Sequence, residues 1–405
     1  MKPTAALLML VVTMAFAPPL ARDQFPREVE FTTVSITPLA IEGLAGDEDG
    51  TLYTTGRAAT PTRCPVWRID AANGGLVDPV QIGSIPNPSG CNPSGIARDS
   101  AGAFYIADAS QGGVIWRLTA ANMNPDSPFA SGVPGTNGIA FDRAGNLWTA
   151  DGTTGQGRVW RIDRQGTRVE VFRVQPMRNS TALGGVVAAD GVGRQVRSFP
   201  PGTLTIAVAA PGTVTPAGGQ DLVANGVAFN AEGDLFIADT ARGALWRAQF
   251  DDAGNLKSPT GCDATFTPDT LCLSNIFVAH PALEGTDGIA LDRAGNIWNA
   301  ANERNAIVVV TRQREVVEVF RNPANAQGLR NSADPAVGND HILELPTSPF
   351  LAGRLLCVAN SDGNRRDNSP NTAGEVNSSG PVGARGKVSC MEPRLQIPGL
   401  ALPVR

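Results

Sequence analysis

The segment Asn137-Gly-Ile-Ala-Phe-Asp-Arg-Ala-Gly-Asn-Leu-Trp-Thr-Ala-Asp151 has three close copies elsewhere in the chain. They are Ser94-Gly-Ile-Ala-Arg-Asp-Ser-Ala-Gly-Ala-Phe-Tyr-Ile-Ala-Asp108, Asn225-Gly-Val-Ala-Phe-Asn-Ala-Glu-Gly-Asp-Leu-Phe-Ile-Ala-Asp239 and Asp287-Gly-Ile-Ala-Leu-Asp-Arg-Ala-Gly-Asn-Ile-Trp-Asn-Ala-Ala301. In all four a glycine stands eight residues after the first residue: Gly102, Gly145, Gly233 and Gly295. A fainter copy begins at Glu42-Gly43 and reaches Gly50. Each copy reads as strand, turn, strand, because a glycine beside an Asx residue supplies the positive φ that a tight hairpin needs.

Outward from each hairpin a third strand follows: Val66-Trp-Arg-Ile69, Val114-Ile-Trp-Arg117, Val159-Trp-Arg-Ile162 and Leu245-Trp-Arg247. Val169-Glu-Val-Phe172 and Val317-Glu-Val-Phe320 read as fourth strands. Four antiparallel strands per unit, recurring every 40 to 60 residues or so, predict an all-β fold, a β-propeller around a central channel. Two or three separate sandwiches would not hold one register throughout. Unit starts fall near 42, 94, 137, 190, 225, 287 and 340, which gives seven blades. The unit from 190 to 225 is short for four strands, and six blades remain if it is an insertion. Val29 to Ile36 is expected to pair into the last blade and close the ring.

Composition agrees. Of 405 residues, 42% are hydrophobic, enough for a core, while charged residues reach only 18%. The 45 glycines and 31 prolines oppose helical bundles and favour short strands with many turns. Net charge is -5, lysine occurs only at 2, 257 and 387, and there is no basic stripe, which argues against a nucleic-acid partner. Lys2 precedes an apolar run from Ala5 to Leu20 with small residues at Ala17 and Ala21. This reads as a signal peptide over 1–21, ahead of a single propeller domain over 22–405. The expected product is a periplasmic or secreted monomer, free of the membrane after cleavage. Export suits the six cysteines, none in a C-x-x-C pair, which admit fifteen disulfide connectivities. Their order suggests Cys64–Cys91, Cys262–Cys272 and Cys357–Cys390.

Each unit opens with one residue ahead of its innermost strand, at the channel mouth: Glu42, Ser94, Asn137, Asn225, Asp287 and, for the last, Asp340. Oxygen side chains converging on an axis suit a hard cation such as Ca²⁺, although Asn-Gly and Asp-Gly also make turns unaided. The series Glu42-Gly43, Asn137-Gly138, Asn225-Gly226 and Asp287-Gly288 resembles the SMP-30/gluconolactonase/LRE-like β-propellers, over about residues 38 to 360. The resemblance implies a divalent metal, usually calcium, held by Glu42, Asn137, Asn225 and Asp287. It further implies hydrolysis of a small lactone or ester, with Asp287 as general base. An arginine common in the family two residues before Asn137 is replaced by Gly135, so a sugar lactone is doubtful. His341 could face the channel, and His280 reads as structural. Arg365 and Arg366, in a polar stretch between Cys357 and Cys390 that reads as a long loop over the site, could supply the missing grip. Asp108, Asp151 and Asp239, which end the second strands, are expected to hydrogen-bond neighbouring blades, with catalytic use as the alternative. No G-x-S-x-G elbow, Walker loop or H-E-x-x-H occurs. The alternative to a hydrolase is a non-catalytic propeller, related to NHL-repeat proteins, that binds a protein or glycan.

Overall fold

The computed structural model describes residues 25, 29–57, 63–72, 75–88, 90–154, 156–175, 224–240, 243–261, 269–283, 285–321, 343–352, 355–361 and 386–391. The first strand, β1 (Thr32–Thr37), does not join the strands that follow it. Blade 1 is β2 (Ile41–Gly46), β3 (Thr51–Gly56), β4 (Cys64–Asp70) and β5 (Val80–Ile85). Blade 2 is β6 (Pro93–Arg98), β7 (Phe104–Asp108), β8 (Val114–Leu118) and β9 (Ala130–Ser131). Blade 3 is β10 (Thr136–Phe141), β11 (Leu147–Asp151), β12 (Arg158–Ile162) and β13 (Arg168–Val174). Blade 4 is β14 (Val227–Phe229), β15 (Leu235–Asp239), β16 (Ala244–Ala248) and, after a short β17 (Thr270–Leu271), β18 (Ile276–Ala279). Strand β17 crosses to the rim of blade 3 and pairs in parallel with β13. Blade 5 is β19 (Thr286–Leu291), β20 (Ile297–Ala301), β21 (Ala306–Val310) and β22 (Val316–Arg321). Blade 6 is β23 (Pro346–Ala352), β24 (Leu355–Asn360), β25 (Gly386–Met391) and, on its outer edge, β1.

The protein is therefore a six-bladed propeller. The seventh unit counted near 190 lies outside the described residues, as do Cys262 and the apolar run to Leu20. The last unit's inner strand starts at Pro346 rather than near 340. The core consists of apolar clusters between successive blades. Trp116 packs between blades 1 and 2, Trp148 and Trp246 between blades 3 and 4, and Trp298 between blades 5 and 6. Each sheet buries its face only against its neighbours, so the ring must close to be stable.

Closure comes from both ends of the chain. Thr32 and Thr37 of β1 pair with Cys390 and Gly386 of β25, and Cys357 and Cys390 are direct partners across β24 and β25. Those two cysteines form a disulfide, as do Cys64 and Cys91; Cys272 is also disulfide-bonded.

At the axis the blades meet backbone to backbone. A β-carbon on Gly43 would stand 2.0 Å from the Ser94 carbonyl oxygen, and one on Gly95 would stand 2.4 Å from that of Asn137. The series continues with Gly138 against Asn225 at 2.6 Å, Gly226 against Asp287 at 2.4 Å and Gly288 against Thr347 at 2.3 Å. The circle closes where Thr347 Oγ1 donates to the Glu42 carbonyl at 2.7 Å. In β2, β6, β10, β19 and β23 the pairing slips at this position, a bulge that swings the Xaa-Gly pair out toward the next blade.

Two stability measurements test this architecture. Replacing Cys357 and Cys390 together by alanine should cost about 2–4 kcal/mol, seen as a lower urea midpoint at constant slope. An unchanged midpoint would mean that strand pairing alone holds blade 6. Gly226→Ala should cost on the order of 1–3 kcal/mol, because the added carbon meets backbone that cannot yield. Gly75→Ala, with no atom within 4 Å of the new carbon, is the neutral control.

Candidate functional site

The Xaa-Gly circle sets six residues side by side: Glu42, Ser94, Asn137, Asn225, Asp287 and Thr347. All six are buried, with Glu42, Asn137, Asn225 and Asp287 exposed by 8%, 7%, 3% and 5%. The sixth place, read from the sequence as Asp340, is held by Thr347, because blade 6 begins later than its unit spacing suggested. Asp340, His341, Arg365 and Arg366 lie outside the described residues. His280 follows the outer strand of blade 4 and accepts the Ala282 amide through Nδ1, a local turn role.

A second circle lies behind the first, fifteen residues further on in blades 1 to 5. It comprises Arg57, Ala109, Gly152, Thr240 and Asn302, with Ser361 in blade 6. Five of the six donate their amides to the residue two places before the ring residue: Arg57 to Ala40, Ala109 to Asn92, Gly152 to Gly135, Asn302 to Gly285 and Ser361 to Leu345. The spacing is fifteen in blades 1 to 5, where hairpins of equal length separate the two positions, and fourteen in blade 6. Sequence reading missed this circle, although the interval is legible in it.

The two circles interlock through side chains. Thr240 gives its hydroxyl proton to the Thr286 carbonyl at 2.7 Å, so its oxygen accepts from Asn225 Nδ2 at 3.1 Å. That fixes the Asn225 amide and leaves its buried Oδ1 without a hydrogen-bond partner among the described residues. Asn302 Nδ2 donates to Asp287 Oδ2 at 2.9 Å, and Asn302 Oδ1 is likewise buried and has no partner among the described residues. Glu42 pairs with Arg57, whose Nε also donates to the Pro93 carbonyl at 3.3 Å. Asn137 packs on Gly152, where a β-carbon would come within 2.7 Å of its Nδ2. Ser94 offers its hydroxyl to the Thr136 carbonyl at 3.2 Å, tying blade 2 to blade 3.

Gly135 has φ +77°, and a β-carbon there would overlap the Asp151 carboxylate, so this position cannot carry an arginine. Among the described residues the hydrogen bonds of Asp108 and Asp151 stay within their own blades rather than reaching neighbours as expected, and Asp239 also bonds within its own. Asp108 and Asp239 accept Trp116 and Trp246 indole protons at 3.1 and 2.9 Å. Asp151 accepts from the Thr154 amide and from Arg158 instead. Burial pushes the Asp151 carboxyl above its ordinary value, opposed by the Thr154 hydrogen bonds and then by Arg158. Among the described residues no three of His, Cys, Asp and Glu gather into a metal cluster. The ring offers two carboxylates and two amides instead.

The SMP-30/Gluconolactonase/LRE-like region model matches residues 193–328, about a third of the chain. The match includes Asn225 and Asp287 but not Glu42 or Asn137. No protein of curated function matches the sequence. Among solved structures, a candidate gluconolactonase from structural genomics aligns at 15% identity over 95% of this chain and 98% of that one, with TM-score 0.52. Luciferin-regenerating enzyme aligns at 14% identity over 92% and 98%, with TM-score 0.51. The PQQ-bound aldose sugar dehydrogenase of Streptomyces coelicolor aligns at 14% over 91% and 100%, also with TM-score 0.51. Those likenesses concern the fold, and a dehydrogenase shares it. The chain is a six-bladed β-propeller with an SMP-30/gluconolactonase/LRE-like region across residues 193–328.

Proposed function

We propose that the protein is a metal-dependent hydrolase that opens a small lactone or ester over the polar ring. The observation that carries this reading is the pair Asn225 and Asp287, where neighbouring blades bring a carboxylate beside a buried amide oxygen that lacks a donor. The family region and the candidate gluconolactonase among the neighbours support lactonase chemistry over the dehydrogenase's.

With Glu42 and Asn137, Asn225 and Asp287 form an all-oxygen donor set suited to a hard divalent cation, Ca²⁺ first. Glu42 would exchange Arg57 for the metal. A cation bound there would polarise the ester carbonyl and ease deprotonation of water. Asp287, oriented by Asn302, would take the proton of the attacking water. Ala109 and Gly152 are the small members of the outer circle, so substrate would seat over Ser94 and Asn137. Asp340, His341, Arg365 and Arg366 would supply the grip that Gly135 cannot. The Lys2-led apolar run and the disulfides support export to the periplasm or beyond, and we take the exported protein as a monomer without a nucleic-acid or membrane partner.

Calorimetric titration of Ca²⁺ into EDTA-stripped protein, with a panel of δ-lactones and aryl acetates, tests the proposal. One equivalent of Ca²⁺ should bind, and Asp287→Asn should abolish binding and lower kcat by roughly 10²–10⁴-fold. Arg57→Gln should tighten Ca²⁺ by removing its competitor for Glu42. Folded protein that neither binds Ca²⁺ nor turns over any member of the panel would instead be a non-catalytic, NHL-like propeller for a protein or glycan.

A further inference from the structure

The end of the channel opposite the polar ring has a different chemistry. Two residues beyond each ring position stand Leu44, Ile96, Ile139, Val227, Ile289 and Pro349, one per blade, and they line a cavity of about 620 Å³. That volume lies within the range of small-molecule sites, which are mostly apolar with a few placed polar groups. A second cavity of about 270 Å³ opens between blades 2 and 3. The two share Asp99, Ser100, Phe141 and Arg143.

Charge at this rim is largely settled between neighbours. Arg98 pairs with Asp47, and Arg293 pairs with Glu48 at 2.8 Å. Arg117 lies 5.6 Å over the Tyr105 ring, and Arg164 donates twice to the Ala144 carbonyl. Arg143 occupies the same place in its Asp-Arg-Ala-Gly turn as Arg293 in its own. Its counterparts in the turns of blades 2 and 4 are Ser100 and Ala231, which carry no charge. It is exposed and forms no ion pair among the described residues. The smaller cavity holds Arg117, Arg143 and Arg164 against Asp99 and Asp163, an excess of one positive charge. Asp99 and Asp163 each give Oδ1 to two amides of their own turns, which commits them locally.

We infer that this face binds an amphipathic organic anion, its apolar body in the channel and its carboxylate or sulfonate against Arg143. An apolar chamber about 620 Å³ in volume supplies the burial, and the unpaired guanidinium at the junction with the cleft supplies the polar anchor. The site is separate from the polar ring and does not rest on the hydrolase reading.

Fluorescence titration with 8-anilinonaphthalene-1-sulfonate, beside N-phenyl-1-naphthylamine as the same skeleton without its charge, tests this on the folded full-length chain. One equivalent of the sulfonate should bind and be displaced by decanoate. Arg143→Ala should weaken the sulfonate about tenfold or more and leave the neutral analogue within about twofold. Arg143→Lys should retain most of the affinity, and Arg293→Ala, which removes a paired arginine of the same turn type, should change nothing. Equal binding of the sulfonate to wild type and Arg143→Ala would overturn the assignment. So would an equal loss for the neutral analogue, or displacement of the sulfonate by millimolar Ca²⁺, which would put the dye at the ring.

Discussion

At the propeller axis successive inner strands approach until a glycine faces the neighbouring carbonyl, with space for hydrogen and not for carbon. That close approach is repeated from Gly43 to Gly288, and it dictates much of the rest. It forces a glycine at one point of each of these inner strands, and the accompanying bulge lifts that point out of its own ladder. It also fixes the residue before each glycine beside its counterpart in the next blade. Six residues distant in sequence thereby share one buried circle, whatever their side chains. The same approach narrows the channel at this end, so the cavity begins only two residues further along each strand, where Leu44, Ile96 and their equivalents diverge.

Because the frame is fixed, chemistry varies by substitution at two positions per blade. The pairs are Glu42 with Arg57, Ser94 with Ala109, Asn137 with Gly152, Asn225 with Thr240, Asp287 with Asn302 and Thr347 with Ser361. Blades 1, 4 and 5 carry polar partners that orient the ring residue through a charge, a hydroxyl and an amide respectively. Blades 2 and 3 carry partners too small to do so. The ring is thus lopsided, ordered and polar on one side, with small outer residues on the other. In blades 1 to 5 a hairpin of constant length holds the two positions in place whichever side chains they carry.

Much of this was legible in the sequence. The Xaa-Gly spacing identified the propeller, the third and fourth strands, and five of the six ring residues, since those features depend on period and turn chemistry. The closing strand, read at Val29 to Ile36 and found at Thr32–Thr37, and two disulfides followed from chain position and the order of the cysteines. Blade 6 was harder, because it has Thr347-Ser348 where the others have Xaa-Gly and so lost the signature; Asp340 was read in its place. Arg57 and Asn302 escaped notice because a residue just past a strand end shows no periodicity of its own. The expected inter-blade role of Asp108 gave way to a local one, because the Trp116 indole on the third strand of the same blade reaches its carboxylate.

The two circles hold two buried amide oxygens that have no hydrogen-bond partner among the described residues. Asn225 spends its amide protons toward Thr240 and Asn302 spends its own toward Asp287, which leaves two buried carbonyl-type oxygens unpartnered next to a carboxylate. Each orphaned acceptor costs roughly 1–3 kcal/mol when shut away from water. Simple packing offers no reason to retain that cost, since leucine or valine would fill such positions without it. What the Asn225 and Asn302 amide oxygens lack among the described residues is a donor. Glu42, the other carboxylate of the ring, already has such a partner in Arg57, supplied by the outer circle of its own blade. The circle thus sets a carboxylate compensated from within the fold by Arg57 beside amide oxygens that the described residues leave without a donor.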